Sequence, residues 1–138
     1  MPQNTIVYSP LKYWKSILWS IIIAIGLFTP GDKLLKHSFF KFEHMDKILH
    51  FLIFGFLQFL ILFEILVNKG IIRRRQISLS LIICMSYGIL TEIIQYIFIS
   101  TREGNLFDLF ADITGIMLSL GFFILIQKSI NRFFLRKT

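Results

Sequence analysis

The sequence predicts an all-α fold, an integral membrane bundle of four transmembrane helices. The first observation is composition: 55% of the 138 residues are hydrophobic, 16 residues are phenylalanine, and the mean hydropathy is +0.70. A small soluble domain cannot bury that much apolar surface. The second observation is that polar clusters divide the apolar residues into four runs. The length suits one domain covering residues 1–138.

The first predicted span covers residues 14–29. Trp14 and Trp19 flank its apolar run, as aromatic residues do at membrane interfaces. The run is short against the roughly 20 residues that a span needs. A cleaved signal peptide is the alternative, because Lys12 and Lys15 precede the apolar core, but no A-x-A-like cleavage site follows.

The other three spans are predicted at about 46–67, 77–99 and 107–126. Asp46 suits the start of a helix, where the helix dipole favours a carboxylate. A short basic connection at 68–75 precedes the third span, and a polar turn at 100–106 precedes the fourth. The single cysteine, Cys84, falls inside an apolar run, so we expect it to be buried and unable to form an intramolecular disulfide.

The positions of the basic residues predict the orientation. The net charge of +7 would suggest nucleic acid for a soluble protein, but here the basic residues lie between apolar runs, so no nucleic-acid partner is expected. Lys12, the 68–75 connection and the basic tail from Lys128 onward fall on one side of a four-helix topology. Both termini are therefore predicted to be cytoplasmic, with the connections 31–45 and 100–106 outside.

Ionisable residues on three predicted helices fall at the same depth, within about two helical turns of the outer surface. A charge inside a membrane is costly and is therefore a hypothesis of function. We expect these residues to converge in one outward-opening polar pocket. The candidate acid–base groups are His50, Glu92 and Asp112, and the candidate ligand-binding groups are Asp46, Lys47, Gln95, Arg102 and Asp108.

Structural roles are the alternative for several of these residues. Asp46 and Asp108 suit helix caps, and Glu92 and Gln95 suit interhelical hydrogen bonds. A stripe of small residues in the fourth span predicts close helix packing: Ala111, Gly115 and Ser119. Gly55 in the second span and Gly88 in the third are assigned the same packing role. His50 with carboxylates is a possible metal ligand set, but the chain has no H-E-x-x-H or similar spacing, so neither a metal nor a cofactor is predicted.

Three motifs carry a resemblance to the VanZ-like family. Residues 46–51, read D-K-I-L-H-F, resemble the family's D-K-x-x-H-F opening. Residues 88–95 resemble its G-x-x-x-E-x-x-Q helix. Arg102 followed by residues 108–115 resembles its R…D-x-x-A-N-x-x-G segment. Asp112 stands where the family pattern has asparagine, and this extra acid changes the charge balance of the site.

The resemblance implies a small multi-spanning protein of the bacterial inner membrane that acts on the cell envelope. The family's namesake is linked to low-level resistance to the glycopeptide teicoplanin. Three hypotheses follow: a protein that binds a membrane lipid or lipid-linked envelope ligand, a membrane enzyme that uses Glu92 or Asp112 as base, and a structural subunit without catalysis. A transporter is a weaker hypothesis, because four helices without a visible internal repeat offer little for alternating access. A homodimer would supply more helices.

Overall fold

The structure, a computed structural model, describes residues 10–29, 45–98 and 106–134, and all regular elements within them are helical. This confirms the predicted all-α class. A 3-10 turn at Pro10–Tyr13 leads into the first helix. The helices are α1 (Trp14–Phe28), α2 (Met45–Lys69), α3 (Arg74–Phe98) and α4 (Leu106–Phe134). The predicted connections 31–45 and 100–106 lie outside the described residues, except for Met45 and Leu106.

Three of the helices are long and apolar enough to cross a membrane. The spans are Met45–Lys69, Arg74–Phe98 and Leu106–Ile130, each of 25 residues. At about 1.5 Å per residue, each exceeds the ~30 Å hydrocarbon core of a bilayer. The shorter apolar helix α1 has 15 residues. Large apolar side chains remain exposed on all four helices, as expected for a surface that faces lipid.

The turn between α2 and α3 is fixed by two local caps. Gly70 ends α2 with φ of 71°, a left-handed conformation that glycine adopts without strain, and its N–H donates to the Leu66 carbonyl at 2.7 Å. Gln76 accepts a 2.8 Å hydrogen bond from the Arg73 N–H through its side-chain oxygen. This cap starts α3 at Arg74, three residues before the predicted start at 77.

Among the described helices, α2 and α4 make the most extensive contact. Gly55 and Gly115 face each other across it: a Cβ built on Gly55 would lie 3.1 Å from the Gly115 carbonyl oxygen. A Cβ built on Gly115 would overlap the Phe51 carbonyl oxygen. The predicted packing roles of Gly55 and Gly115 are confirmed. Small residues allow such backbone-to-backbone approach between membrane helices.

A buried carboxylate from α2 caps the start of α1. Glu64 is only 4% exposed, and its two oxygens accept hydrogen bonds from the backbone N–H groups of Lys15, at 2.9 Å, and Ser16, at 3.2 Å. The Ser16 hydroxyl also donates to the same carboxylate. Because the first N–H groups of a helix have no partner within the helix, Glu64 satisfies donors that would otherwise be unpaired in an apolar setting.

Helix α3 holds α1 at two further points through the α1 backbone. The Tyr87 hydroxyl donates to the Ser20 carbonyl at 2.6 Å, and the Gln95 amide donates to the Leu27 carbonyl at 3.0 Å. The order of these contacts makes α1 and α3 parallel. Buried apolar side chains fill the space between the helices, and the predicted burial of Cys84 is confirmed, at 0% exposure. The main core cluster comprises Ile23, Leu27, Phe54, Leu57, Cys84 and Ile116.

Candidate functional site

Helices α2, α3 and α4 each bring one ionisable side chain to the same end of the bundle. His50 is on α2, Glu92 on α3 and Asp112 on α4. At about 1.5 Å per residue, each lies roughly 8–9 Å from the nearest helix end. His50 contacts both Glu92 and Asp112, so the structure brings these three residues together, while their roles stay a prediction. We call them the buried triad, and we call this end, where α2 and α4 begin and α3 ends, the acidic end.

The His50 ring lies between the two carboxylates. Its Nδ1 is 3.0 Å from Oδ1 of Asp112 and 3.5 Å from Oε1 of Glu92. His50 is 1% exposed, Asp112 0% and Glu92 9%. When Nδ1 carries a proton, it donates to Asp112, which fixes the orientation of the ring. Two carboxylates and an imidazole thus lie together at one buried site.

Apolar and small residues shape this site. The Phe54 ring stacks on the His50 ring, with centroids 6.2 Å apart and planes 18° apart. A Cβ built on Gly88 would lie 3.2 Å from Oδ2 of Asp112. Gly88, predicted from the sequence as a packing glycine, therefore also makes room for the Asp112 carboxylate. Its position four residues before Glu92, on the same helix face, is a sequence signal that could have indicated this role.

A second layer of charge lies toward the helix ends. Lys47 Nζ is 3.6 Å from Oδ1 of Asp108, and the Lys47 side chain is 33% exposed while Asp108 is 5% exposed. Asp46 is exposed. Carboxylate oxygens of Asp46 and Asp108 lie within 4.8 Å of each other and of a His50 ring nitrogen. The three residues predicted to bind ligand here therefore cover the buried triad from the direction of the helix ends.

Two predicted ligand-binding residues are not part of this arrangement in the described structure. The Gln95 amide donates to Leu27 and is thus turned toward α1, which matches the alternative of an interhelical hydrogen bond. Arg102 lies outside the described residues.

A second buried polar pair, deeper in the bundle, was not predicted from the sequence. The Gln58 amide donates to the Ser80 hydroxyl at 3.0 Å, joining α2 to α3. Both side chains are almost fully buried, Gln58 at 0% and Ser80 at 1% exposure. This pair lies between the buried triad and Glu64 along α2. We assign it to holding α2 against α3.

The chemistry available at the acidic end follows from its groups. The imidazole and carboxylates of the buried triad are able to exchange a proton or to hold a cation. Lys47 offers an ammonium group to an anion. These groups lie at the border between an apolar bundle and its end, where a polar headgroup of a membrane molecule would be.

Comparison with protein-family models places the chain in a family. The family model described as VanZ/LLP1 matches residues 3–127, nearly the whole chain and all of the candidate residues named above. Comparisons with curated proteins and with solved structures found no match.

Proposed function

Because the chain belongs to the VanZ/LLP1 family, we propose that this membrane protein acts at the bacterial cell envelope. In the proposal, its acidic end faces outward from the cytoplasmic membrane. There it binds the phosphate-bearing headgroup of a membrane lipid or of a lipid-linked envelope precursor. Through that ligand it reduces susceptibility to teicoplanin-type glycopeptides.

The observation that carries the proposal is the buried triad, with Lys47 above it. Burying carboxylates and an imidazole in a membrane protein is costly, so they are retained where they have a use. The triad lies within about two helical turns of the helix ends, near the level of a headgroup, and not in the apolar middle. Lys47, at the start of α2, is the described cation best placed to meet a phosphate. Arg102, by its place in the sequence, is a second.

The proposed orientation predicts the labelling of the segment before α4. We expect a cysteine introduced at Asn105, in a Cys84→Ser background, to react with a membrane-impermeant maleimide added to intact cells. The reason is that Lys69, the 73–75 arginines and the basic tail fall at the opposite end and favour the cytoplasm. A cysteine at Lys69 is the control and should be labelled only after lysis. The reverse pattern would show that the acidic end faces inward.

Headgroup binding is tested with a pair of lipids that differ only in the phosphate. Purified protein in nanodiscs should bind undecaprenyl phosphate but not undecaprenol. Lys47→Gln should weaken the binding by about tenfold, because one cation–phosphate contact contributes on the order of 1.4 kcal/mol. Lys69→Gln is the matched control on the same helix, at the opposite end, and should bind normally.

Drug susceptibility is measured with the same variants. The wild-type chain, expressed in a teicoplanin-susceptible Gram-positive host, should raise the minimal inhibitory concentration of teicoplanin. Lys47→Gln should lose most of that increase and Lys69→Gln should keep it, at equal amounts in the membrane. An equal increase with both variants, or none with wild type, would contradict the proposed role.

A second candidate is a membrane enzyme that modifies a lipid or lipid-linked substrate by acid–base chemistry. It is favoured by one observation: His50 Nδ1 contacts two carboxylates, while Nε2 has no hydrogen-bond partner among the described residues. A ring that is held at one nitrogen while the other makes no hydrogen bond is a suitable proton carrier.

The isosteric change Glu92→Gln separates this candidate from a purely structural role. An enzyme that uses Glu92 should lose turnover of its lipid while the variant unfolds at the wild-type denaturant concentration. If Glu92 only holds helices together, the variant should instead unfold at a lower denaturant concentration. Lipid extracts from cells expressing either form, compared by mass spectrometry, supply the activity readout without a known substrate.

A further inference from the structure

We propose that the buried triad is a binding site for one divalent first-row transition metal ion, of the Zn²⁺ or Mn²⁺ class. Its ligands would be Nδ1 of His50, Oε1 of Glu92 and a carboxylate oxygen of Asp112. The inference goes beyond the proposed function and does not depend on it, because the ion is measured without any lipid ligand.

The geometry of the three ligand atoms supports an ion between them. One ligand atom from each residue lies within 4.8 Å of the other two, and Nδ1 is 3.0 Å from Oδ1 of Asp112 and 3.5 Å from Oε1 of Glu92. Ligand atoms about 2.1 Å from a tetrahedral ion are separated by about 3.4 Å. Small side-chain adjustments therefore suffice to coordinate a metal. Three protein ligands leave a fourth position open, as in catalytic zinc sites.

A second observation is an unused ligand atom at the same place. Oδ2 of Asp112 has no hydrogen-bond partner among the described residues, although Asp112 is 0% exposed. A buried carboxylate oxygen without a partner is costly, and a cation is the partner that relieves the cost most strongly. Gly88 leaves room for this oxygen, since a Cβ there would lie 3.2 Å from it.

The charge at the acidic end also supports a bound cation. Among the described residues, its ionisable groups are four carboxylates, those of Asp46, Glu92, Asp108 and Asp112, with Lys47 and His50 as the basic groups. This excess of acid favours a bound cation. A divalent ion in the triad would neutralise the two carboxylates there and offer a phosphate oxygen its open coordination position.

The ligand types select the class of metal. One imidazole nitrogen with two carboxylates suits Zn²⁺, Mn²⁺ or Fe²⁺, whereas Mg²⁺ and Ca²⁺ favour oxygen ligands alone. A second grouping, Asp46, His50 and Asp108, shares the same histidine. It fits less well, because Asp46 is exposed and Lys47 Nζ lies 3.6 Å from Asp108.

Local sequence spacing does not reveal this site. Motifs such as H-E-x-x-H place two ligands on one helix, whereas the triad takes one ligand from each of three helices. Packing of α2 against α3 and α4 brings the three ligands together, so the absence of a spacing motif does not weigh against a metal here.

The test is metal binding by the full chain in detergent, purified without a residual histidine tag. Protein stripped with a chelator is incubated with Zn²⁺, Mn²⁺, Mg²⁺ or Ca²⁺ alone, desalted and measured by inductively coupled plasma mass spectrometry. We expect one Zn²⁺ or Mn²⁺ per chain and little Mg²⁺ or Ca²⁺. Asp112→Asn and Glu92→Gln should each weaken binding by at least about tenfold, and Asp46→Asn should weaken it less than either.

Each alternative result overturns the proposal. Loss of binding in Asp46→Asn but not in Asp112→Asn would place the ion in the other grouping. No stoichiometric uptake of Zn²⁺ or Mn²⁺ by the wild type would exclude the site. Should the variants fail to fold, Co²⁺ added to the wild type decides: a four- or five-coordinate site gives a visible absorption band at one equivalent, and its absence contradicts the proposal. Failure here leaves headgroup binding, measured separately with undecaprenyl phosphate, unaffected.

Discussion

Gly115→Leu is expected to destabilise the bundle by about 3 kcal/mol, because it forces a side chain into a backbone-to-backbone contact. Even a Cβ at this position would overlap the Phe51 carbonyl oxygen of α2. Backbone atoms cannot move aside as the end of a flexible side chain does, so α2 and α4 must separate. The loss is measured as the change in the free energy of unfolding during titration with sodium dodecyl sulfate in mixed micelles.

Gly121→Leu is the matched control for this prediction. Gly121 lies on the same helix, and nothing lies within 4 Å of a Cβ built there. The same substitution should therefore change the unfolding free energy by less than about 0.5 kcal/mol. Equal losses at both positions would mean that the loss does not come from the α2–α4 contact, since leucine favours a helix more than glycine does.

Glu64→Ala is expected to release α1 from the bundle, with a loss of about 3 kcal/mol. The substitution leaves the N–H groups of Lys15 and Ser16 without their acceptor in a buried setting. It also removes a negative charge from the positive end of the α1 dipole. Ser16→Ala removes only the hydroxyl bond and should cost about 1 kcal/mol.

Tryptophan fluorescence reports this release selectively. The chain has two tryptophans, Trp14 and Trp19, and both belong to α1. The Trp19 ring N–H donates to the Ile53 carbonyl at 3.0 Å, a contact that is lost when α1 leaves α2. Glu64→Ala should shift the emission and increase quenching by lipid-soluble brominated probes. An unchanged spectrum would show that the Glu64 cap is dispensable for docking α1.

The depth of the triad was predictable because three independent facts of the sequence agreed. Residues 50, 92 and 112 each fall within two turns of a helix end, and the alternation of spans places those ends on one side. A charge so far inside an apolar helix needs a polar neighbour, and neighbours are available only at the same depth. Depth therefore limited the possible partners of His50 before any coordinates were known.

The direction of Gln95 was not predictable in the same way. Residues three apart, such as Glu92 and Gln95, share a face only within about 60°. That angle is enough for one to contact His50 and the other to contact Leu27 on α1. Which helix lies on which side of α3 is set by packing across the whole bundle, and no local pattern in α3 encodes it.

Helix ends also differed from the predicted spans for a physical reason. The sequence pattern marks where apolar residues stop, near 126 in the last span, but α4 continues to Phe134. Lysine and arginine side chains reach water while their backbone stays helical, so the loss of hydrophobicity does not end a helix. A cap or a glycine does, as Gly70 shows at the end of α2.

The way α1 is held makes its length matter more than its sequence. Glu64, Tyr87 and Gln95 all bind main-chain groups of α1, at the start, the middle and the end of the helix. Main-chain groups are the same for every residue, so exchanging one aliphatic residue of α1 for another leaves these three anchors intact. Deleting one residue between Ser20 and Leu27 instead rotates everything beyond it by about 100° and shifts it by about 1.5 Å, so the last carbonyl no longer meets its donor.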